Sequence, residues 1–221
     1  MVSNLSLLPL TLGIGFSLDA EEARNRPSSK AETDKILKKD DYSCRFCGFR
    51  SLQYQRVIPF EGGHVTSCSF CEQAMMLERA GMMGSGVLIW LPEISQIELN
   101  HIVRAIHIAR VGTDTKLAAA AERAFNALLA RKTDAKKRLG SEDPLLLCTV
   151  LRENLDNKDR EKALPKLDGL RLLPFDKHIV RSHGSEIDGF PQIVRFWLSE
   201  QGPFSDAPVE DWRDLFSKLA A

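Results

Sequence analysis

The chain has 221 residues, 43% hydrophobic and 27% charged, which is ordinary globular composition. Its 30 basic and 30 acidic residues balance, so no overall field draws it to nucleic acid or to an anionic membrane. The opening residues lack the basic stretch of a secretion signal, and Pro9, Gly13 and Gly15 interrupt the apolar run from Leu5 to Leu18. We expect neither a signal peptide nor a membrane span, and a reducing cytoplasmic environment.

The first part of the chain is predicted to form an arm followed by helices. In residues 1–18 the leucines are spaced mainly by small or polar residues, which indicates an extended, strand-like segment or an arm that packs on the body. An arm is also a candidate contact surface for a partner. Asp19–Arg26 and Ala31–Lys39 are helical in composition, and the Pro27–Ser29 break separates them.

Four cysteines form the most informative pattern. Cys44 and Cys47, then Cys68 and Cys71, make two Cys-x-x-Cys pairs separated by 20 residues. Each pair can hold one edge of a tetrahedron with Zn–S bonds of about 2.3 Å, and two pairs complete it. Because the four thiolates leave no open position, the pattern predicts one structural zinc ion rather than a catalytic metal. Two disulfides or four unrelated thiols are the alternatives, and disulfides need an oxidising compartment.

Hairpins and a glycine-rich turn surround the second cysteine pair. Tyr42–Tyr54 and Arg56–Val65 are typical of short hairpin strands, and a proline and two adjacent glycines turn the chain. Gly81–Gly86 superficially matches a phosphate-binding loop, but it follows no long strand and has no lysine. We therefore expect a flexible turn there, followed by a short strand at Val87–Trp90.

A helix is predicted to begin at Ser95. Ser95 and Glu98 form a Ser-x-x-Glu capping box, and Ile94 and Leu99 have the spacing of a hydrophobic staple. The predicted core face of this helix consists of Leu99, Ile102, Val103 and Ile106.

Two more helices are predicted before an irregular region. Thr115–Arg131 is rich in alanine, and Pro144 after Asp143 opens a helix over Leu145–Leu155. The residues of the first helix available for close packing are Leu117, Ala120, Ala121, Ala124, Leu128 and Leu129. We expect Asn157–Lys162 to lie in solvent and Pro165–Pro191 to be a wrapped loop with little regular structure.

An amphipathic helix is predicted to end the chain. Pro208 opens it, and its apolar stripe consists of Val209, Trp212, Leu215, Phe216 and Leu219. This helix and the irregular loop are further candidate contact surfaces. A methionine-rich segment after the second cysteine pair, Met75–Met83, favours core packing over partner contact.

The cysteine framing is similar to that of HNH (ββα-metal) endonucleases, in which the thiolate zinc is a scaffold beside a separate catalytic centre. In those enzymes a histidine at the end of the first strand, shortly before a proline, acts as general base. The corresponding stretch here is Gln55–Pro59, which has no histidine. His64 is the nearby candidate, but it lies beyond the glycine turn without a second metal-ligand cluster close in sequence. Nuclease chemistry is therefore a hypothesis that the sequence does not favour, and we expect no catalytic residue.

The remaining histidines and the fifth cysteine do not indicate an enzyme. His101 and His107 are six residues apart on a helix, about 120° off a common face, so they cannot share one metal. We expect His101 to be exposed and His107 to flank the core. His178 and His183 are expected on the surface, and Cys148 is expected to be a buried, inert thiol.

A DNA-binding zinc module is a third hypothesis. Between Arg24 and Arg56, nine basic residues face four acidic ones, a local excess in an otherwise neutral chain. The cations that would carry DNA contacts are Lys35, Lys38, Lys39, Arg45, Arg50 and Arg56. A solvated surface is the more common explanation of such an excess, so nucleic acid is not the expected partner.

Three segments together resemble the IcmJ (DotN) family of type IVB (Dot/Icm) secretion systems. They are Tyr42–Phe49, Cys68–Cys71, and Leu88–Gln96 with the following Leu99–His101. Cys-x-x-Cys pairs are common, so the Leu-Pro-Glu-Ile-Ser-Gln run at this distance carries most of the resemblance. The matching core spans about residues 30–110.

The resemblance implies a cytoplasmic, non-enzymatic adaptor at the inner-membrane coupling complex. Such subunits hold the C-terminal extension of the coupling ATPase (DotL in the Dot/Icm system), beside the adaptor pair IcmS and IcmW, and support effector recruitment indirectly. The residues carried over are the four cysteines, as ligands of one zinc ion.

The predicted fold class is α+β, with an HNH-like ββα zinc module embedded in a mainly helical single domain. We divide the chain into an N-terminal arm (1–30), the zinc module (31–92), a helical region (93–160) and an irregular loop with a C-terminal helix (161–221).

Overall fold

A computed structural model of the chain describes residues 6–13, 29–154, 159, 167–182 and 185–212. Within these ranges, helices combine with antiparallel two-stranded sheets, which confirms the predicted α+β class. No helix in the described ranges is both long and apolar enough to cross a bilayer.

The first half contains one helix before the first cysteine pair, and a hairpin, two helices and a strand after it. A bridge between Ser43 and Arg50 encloses that pair, and β1 pairs with β2 in antiparallel register, Ile58 opposite Val65. The elements are α1 (Lys30–Lys39), β1 (Arg56–Phe60), β2 (Gly63–Ser67), α2 (Ser69–Met75), α3 (Leu77–Met82) and β3 (Gly86–Trp90).

The second half contains helices, the strand that pairs with β3, a further hairpin and a short 3-10 turn. The elements are α4 (Gln96–Val111), α5 (Thr115–Ala130), α6 (Lys132–Leu139), α7 (Pro144–Asn154), β4 (Leu170–Pro174), β5 (Ile179–Ser182), β6 (Ser185–Asp188), α8 (Phe190–Trp197) and a short 3-10 turn (Val209–Asp211).

The predicted arm packs on the body where the structure describes it, over residues 6–13. It forms no strand, but the backbone amide of Leu8 donates to the Arg45 carbonyl at 2.8 Å and that of Gly13 to the Ala74 carbonyl at 2.8 Å. A Cβ atom on Gly13 would lie 1.6 Å from the Met75 carbonyl oxygen, so the arm passes α2 too closely for any other residue. The predicted helix Asp19–Arg26 lies outside the described residues.

The capping box predicted at Ser95 is confirmed. The Ser95 hydroxyl accepts from the Glu98 amide at 3.2 Å, and the Glu98 carboxylate accepts from the Ser95 amide at 2.7 Å. The predicted core face is partly wrong. Leu99, Val103 and Ile106 are buried, but Ile102 is 43% exposed.

Buried polar residues take the place of Ile102 in the interior. Gln96, Asn100, Arg104 and His107 are all buried, at helical spacing beside the apolar stripe. The burial of His107 corrects the expectation that it flanks the core: its ring contacts Phe70, Phe125 and Phe190.

The expectation of an irregular loop over Pro165–Pro191 is wrong. β4 pairs with β3, Leu172 opposite Leu88, and its leucines are completely buried. β5 and β6 form a second hairpin, and α8 begins at Phe190 with Pro191 in its first turn. Prolines and glycines around these short runs suggested a loop, but pairing with a strand some 80 residues earlier outweighs those local signals.

Other helices match their predictions with local differences. α5 buries Ala121 and Phe125, whereas Ala120 and Ala124 are exposed. In the methionine-rich segment Met75 is buried and Met82 is 51% exposed. Of the predicted terminal helix, Val209 is buried and Trp212 packs on Phe204 at a ring-centroid distance of 5.9 Å. The rest of that helix, and Asn157–Lys162 apart from Asp159, lie outside the described residues.

The exposure difference along α4 gives a matched pair of truncations. We expect Leu99→Ala to lower the free energy of unfolding by about 2–5 kcal/mol, because it leaves a cavity at a fully buried position. We expect Ile102→Ala to cost less than about 1 kcal/mol, because that side chain is largely in solvent. Urea denaturation measures both, and similar losses would contradict the described orientation of α4.

The burial of His107 predicts acid sensitivity. Burial among aromatic rings lowers its pKa from 6.5 to about 4; the hydrogen bond with the Pro174 carbonyl opposes this shift, and nearby charges have smaller effects. The histidine therefore binds a proton near pH 6.5 in the unfolded chain but only near pH 4 in the folded chain. Stability is expected to fall by up to about 3 kcal/mol as the pH drops through this interval.

The variant His107→Gln isolates this effect, because glutamine keeps a side-chain donor but does not titrate. Its unfolding free energy, measured by urea denaturation from pH 7 to pH 4.5, should fall less steeply than that of the wild-type chain. Parallel slopes would show that His107 has the same pKa in the folded and the unfolded chain.

Candidate metal centre

The first cysteine pair lies on a tight turn after α1. The amide of Gly48 donates to the Cys44 carbonyl at 2.9 Å, and that of Cys44 to the Phe49 carbonyl at 2.9 Å. Gly48 has φ +75°, in the left-handed region that glycine adopts without strain. This turn directs both sulfur atoms inward, and Cys44 and Cys47 are buried.

The second pair begins α2. Cys68 is the N-cap residue of the helix and Cys71 lies in its first turn, so three residues of helical rise bring both thiols to the same side. The β1–β2 hairpin carries this pair back to the first one. The amide of Arg45 donates to the Thr66 carbonyl at 2.8 Å, which joins the two cysteine-bearing loops directly.

The four sulfur atoms have the spacing of a tetrahedral metal site. The Sγ atoms of Cys44, Cys47, Cys68 and Cys71 all lie within 4.8 Å of one another, and Cys47 Sγ is 3.7 Å from Cys68 Sγ. A tetrahedron with Zn–S bonds of about 2.3 Å has edges of about 3.8 Å. A disulfide needs about 2.05 Å, and all four cysteines are free thiols in this structure. The residues therefore fit a four-thiolate metal ion.

The thiol pKa values also favour a cation. Hydrogen bonding with Cys44 is the largest effect that raises the pKa of Cys47 and of Cys71 well above the usual value. Burial raises the pKa of Cys68, but hydrogen bonds from the other three cysteines and the charge of Arg104 outweigh it and lower that pKa. Four thiolates this close together in a buried cluster need a metal ion between them.

Helix α4 supplies hydrogen bonds to two of the sulfur atoms. Asn100 Nδ2 donates to Cys71 Sγ at 3.4 Å, and Arg104 Nη2 donates to Cys68 Sγ at 3.3 Å. Neither residue stood out in the sequence. The signal that could have found them is their spacing: polar residues four apart, on a helix whose neighbouring positions are apolar, indicate a buried polar face.

Arg104 is surrounded by aromatic rings. Its guanidinium carbon lies 3.8 Å from the ring centroid of Phe49, 5.4 Å from that of Phe70 and 5.7 Å from that of Trp197. These rings follow the first cysteine pair, lie within the second, and end α8, respectively. Arg104 is 2% exposed, so its charge depends on the sulfur and the aromatic faces rather than on water.

His101 connects Arg104 to the first cysteine pair. Its Nε2 lies 3.0 Å from the Cys47 carbonyl oxygen, and its Nδ1 lies 3.2 Å from Arg104 Nη1. Because a carbonyl accepts and a guanidinium donates, the proton is assigned to Nε2. Burial and the charge of Arg104 lower the pKa of His101, so the ring is neutral at pH 7. His101 is exposed, as expected, but it contacts the backbone of a cysteine.

The other histidines are not brought together with a metal-ligand set. His64 lies on β2 opposite Pro59, and among the described residues the four cysteines are the group that could hold a metal. His178, expected on the surface, is half-buried, and burial lowers its pKa. His183 lies outside the described residues. Cys148 is buried in a separate leucine-rich cluster, as predicted.

The strand that would carry a nuclease histidine carries an ion pair instead. Arg56, at the start of β1, lies 3.5 Å from the Glu72 carboxylate on α2, and Arg79 lies 3.6 Å from the same oxygen. Glu72 is buried, so these cations compensate its charge.

The cations proposed for DNA contacts are partly paired. Arg45 lies 3.3 Å from the Asp40 carboxylate, Arg50 lies 3.2 Å from that of Asp41, and Arg56 pairs with Glu72. Each carboxylate offsets a positive charge that a phosphate would otherwise meet.

Comparison with known proteins identifies a relative along most of the chain. No family model matches the sequence. It is 30% identical over 177 residues to the type 4 apparatus protein DotN of Legionella pneumophila, and the alignment covers 72% of this chain and 81% of that protein. Identity over this share confirms the resemblance carried by the cysteine pairs and the Leu88–Gln96 run. The chain belongs to the DotN (IcmJ) family of Dot/Icm type IV secretion-system proteins.

Proposed function

We propose that the chain is a non-enzymatic, zinc-stabilised adaptor of the secretion system's coupling complex. In this proposal it lies in the cytoplasm at the inner membrane, binds the C-terminal extension of a DotL-like coupling ATPase, and works beside an IcmS/IcmW-like adaptor pair. Effector proteins are recruited through these partners. The observation that carries the proposal is the 30% identity to DotN along most of the chain.

The metal is proposed to be zinc in a structural role. All four cysteines are buried, and four thiolates complete a tetrahedral coordination sphere without water or substrate. Zinc supplies the cross-link between the two cysteine-bearing loops. Zinc-peptide binding free energies of about 10–16 kcal/mol indicate how strongly such a metal can favour folding.

The absence of an enzyme activity is inferred from the positions that would carry it. The Arg56–Glu72 ion pair lies on the strand and helix of the ββα unit, and His64 belongs to no group of three or more potential metal ligands in the described ranges. A strand and helix joined by an ion pair are better suited to a structural scaffold than to a hydrolytic active site. The pairing of Arg45, Arg50 and Arg56 with carboxylates likewise disfavours the DNA-binding hypothesis.

The partner is proposed to bind a groove between the C-terminal end of α4 and α8. Val111, 57% exposed, and Leu198, 38% exposed, line two adjoining hollows of about 420 and 460 Å³. Phe204, Pro208 and Val209 complete the apolar wall of the first hollow. Exposed apolar side chains beside a concave surface suit the apolar face of a peptide helix, and in this proposal the ATPase extension binds as such a helix.

Exchanging cysteines tests the zinc part of the proposal. We expect Cys68→Ser to lose bound zinc and to melt at a lower temperature, because three thiolates and a hydroxyl bind the ion less tightly. Cys148→Ser is the matched control, a buried thiol outside the cluster, and it should retain one zinc ion per chain. Elemental analysis and thermal melts measure both. Full zinc content in Cys68→Ser would remove the four-cysteine site from the proposal.

Charged substitutions on two exposed valines test the groove. We expect Val111→Asp to weaken binding of the purified ATPase extension at least tenfold, because it places an unpaired carboxylate against the peptide's apolar face. Val150→Asp on α7, where the valine is 45% exposed, should bind as the wild-type chain does. Calorimetric titration gives both affinities. Equal affinities for the two variants would exclude this groove, and failure of the wild-type chain to bind would overturn the adaptor proposal itself.

A further inference from the structure

Arg104 is a charged side chain in the interior, at the metal centre but not among its ligands. It is 2% exposed, and its Nε atom has no hydrogen-bond partner. One Nη atom donates to Cys68 Sγ at 3.3 Å and the other to His101 Nδ1 at 3.2 Å. Burial of a guanidinium is unfavourable unless a negative group compensates it, so the position needs an explanation.

The negative charge of a metal-bound, four-thiolate site explains the buried guanidinium. Four thiolates around Zn²⁺ leave an excess of negative charge, and this excess lies in a fully buried cluster. The guanidinium of Arg104 offsets part of it through a direct contact with sulfur. Asn100 adds a neutral N–H donor to Cys71 at 3.4 Å, on the same face of α4 one turn earlier.

We propose that Arg104 is the counter-charge of the metal centre and the positioning residue of Cys68. The inference rests on the zinc part of the proposed function. Its N–H···S hydrogen bond orients the Cys68 thiolate. Its positive charge lowers the electrostatic cost of burying four negatively charged ligands together. Second-sphere groups of this kind typically change metal affinity 10- to 100-fold.

The alternative role for Arg104 is packing. Its guanidinium lies over Phe49 at 3.8 Å and near Trp197, so it also fills an aromatic pocket. The two roles predict opposite orders of zinc affinity for the lysine and methionine variants of Arg104. Lysine keeps the charge but loses the planar fork, whereas methionine keeps an apolar chain of suitable length and loses the charge.

Zinc affinity of the full chain, measured by competition with a chromophoric chelator, separates these roles. If Arg104 is the counter-charge, the Arg104→Met variant should bind Zn²⁺ 10- to 100-fold more weakly than the wild-type chain. The Arg104→Lys variant should have an intermediate affinity. The matched control is Arg110→Met, two turns along α4. Arg110 likewise follows a histidine by three residues and lies over an aromatic ring, Phe125 at 5.1 Å, but pairs with Glu122 and Asp176. The zinc affinity of the Arg110→Met variant should equal that of the wild-type chain.

Cobalt substitution gives a second readout that packing would not change. In the Co²⁺ form the thiolate-to-metal charge-transfer band should shift in Arg104→Met, because Cys68 loses its hydrogen bond, and stay unchanged in Arg110→Met. The proposal is overturned if Arg104→Met binds zinc as tightly as Arg104→Lys, if the control loses as much affinity, or if neither Arg104 variant folds with zinc. Absence of zinc binding by the wild-type chain would instead reject the zinc proposal.

Discussion

The contact between the Arg104 guanidinium and the cysteine cluster links more of the chain than any local pattern does. A charge in a low-dielectric interior is stable only beside an opposite charge, and Cys68 provides the sulfur at 3.3 Å. The rings that enclose Arg104 come from the first cysteine turn, from α2 and from α8. Satisfying one guanidinium therefore fixes segments that are more than 140 residues apart in sequence. The contacts of Arg104 and Asn100 join the predicted module 31–92 to the predicted helical region 93–160.

The same contacts connect the metal centre to the proposed partner groove. Asn100 and Arg104 hold the middle of α4 against the cysteines, and Val111 ends that helix in the groove. Trp197, beside Arg104, is followed by Leu198 on the opposite wall. A metal ion that held the cysteine loops would thus also restrain both walls. In the proposed function, zinc would support partner binding in this way, through helices packed on one cluster and without contact between metal and partner.

The parts of the fold that could be read from the sequence depend on near neighbours. Two Cys-x-x-Cys pairs specify a thiolate cluster, a Ser-x-x-Glu box specifies the start of α4, and turn residues specify the β1–β2 hairpin, because each uses interactions within a few residues. β4 could not be read in this way. Leu170–Pro174 is a short apolar run that follows a glycine and ends in a proline, and its strand conformation comes from hydrogen bonds to β3, which lies before helices α4 to α7 in sequence. Only the tertiary partner distinguishes it from a loop.

The buried polar face of α4 shows why the site itself was incompletely predicted. Periodicity assumes that polar residues face water, and this assumption assigned Ile102 to the core in place of Asn100 and Arg104. Each buried polar group instead has a specific acceptor or donor elsewhere: the Leu172 backbone for Gln96, cysteine sulfur for Asn100 and Arg104, and the Pro174 carbonyl for His107. The exposed positions in the first turns of the helix, by contrast, form a narrow strip of Glu98, His101 and Ile102, and Val111 is exposed at the end of the helix. A helix enclosed on most sides must bury polar positions somewhere, so the metal centre and β4 account for a pattern that α4 alone leaves unexplained.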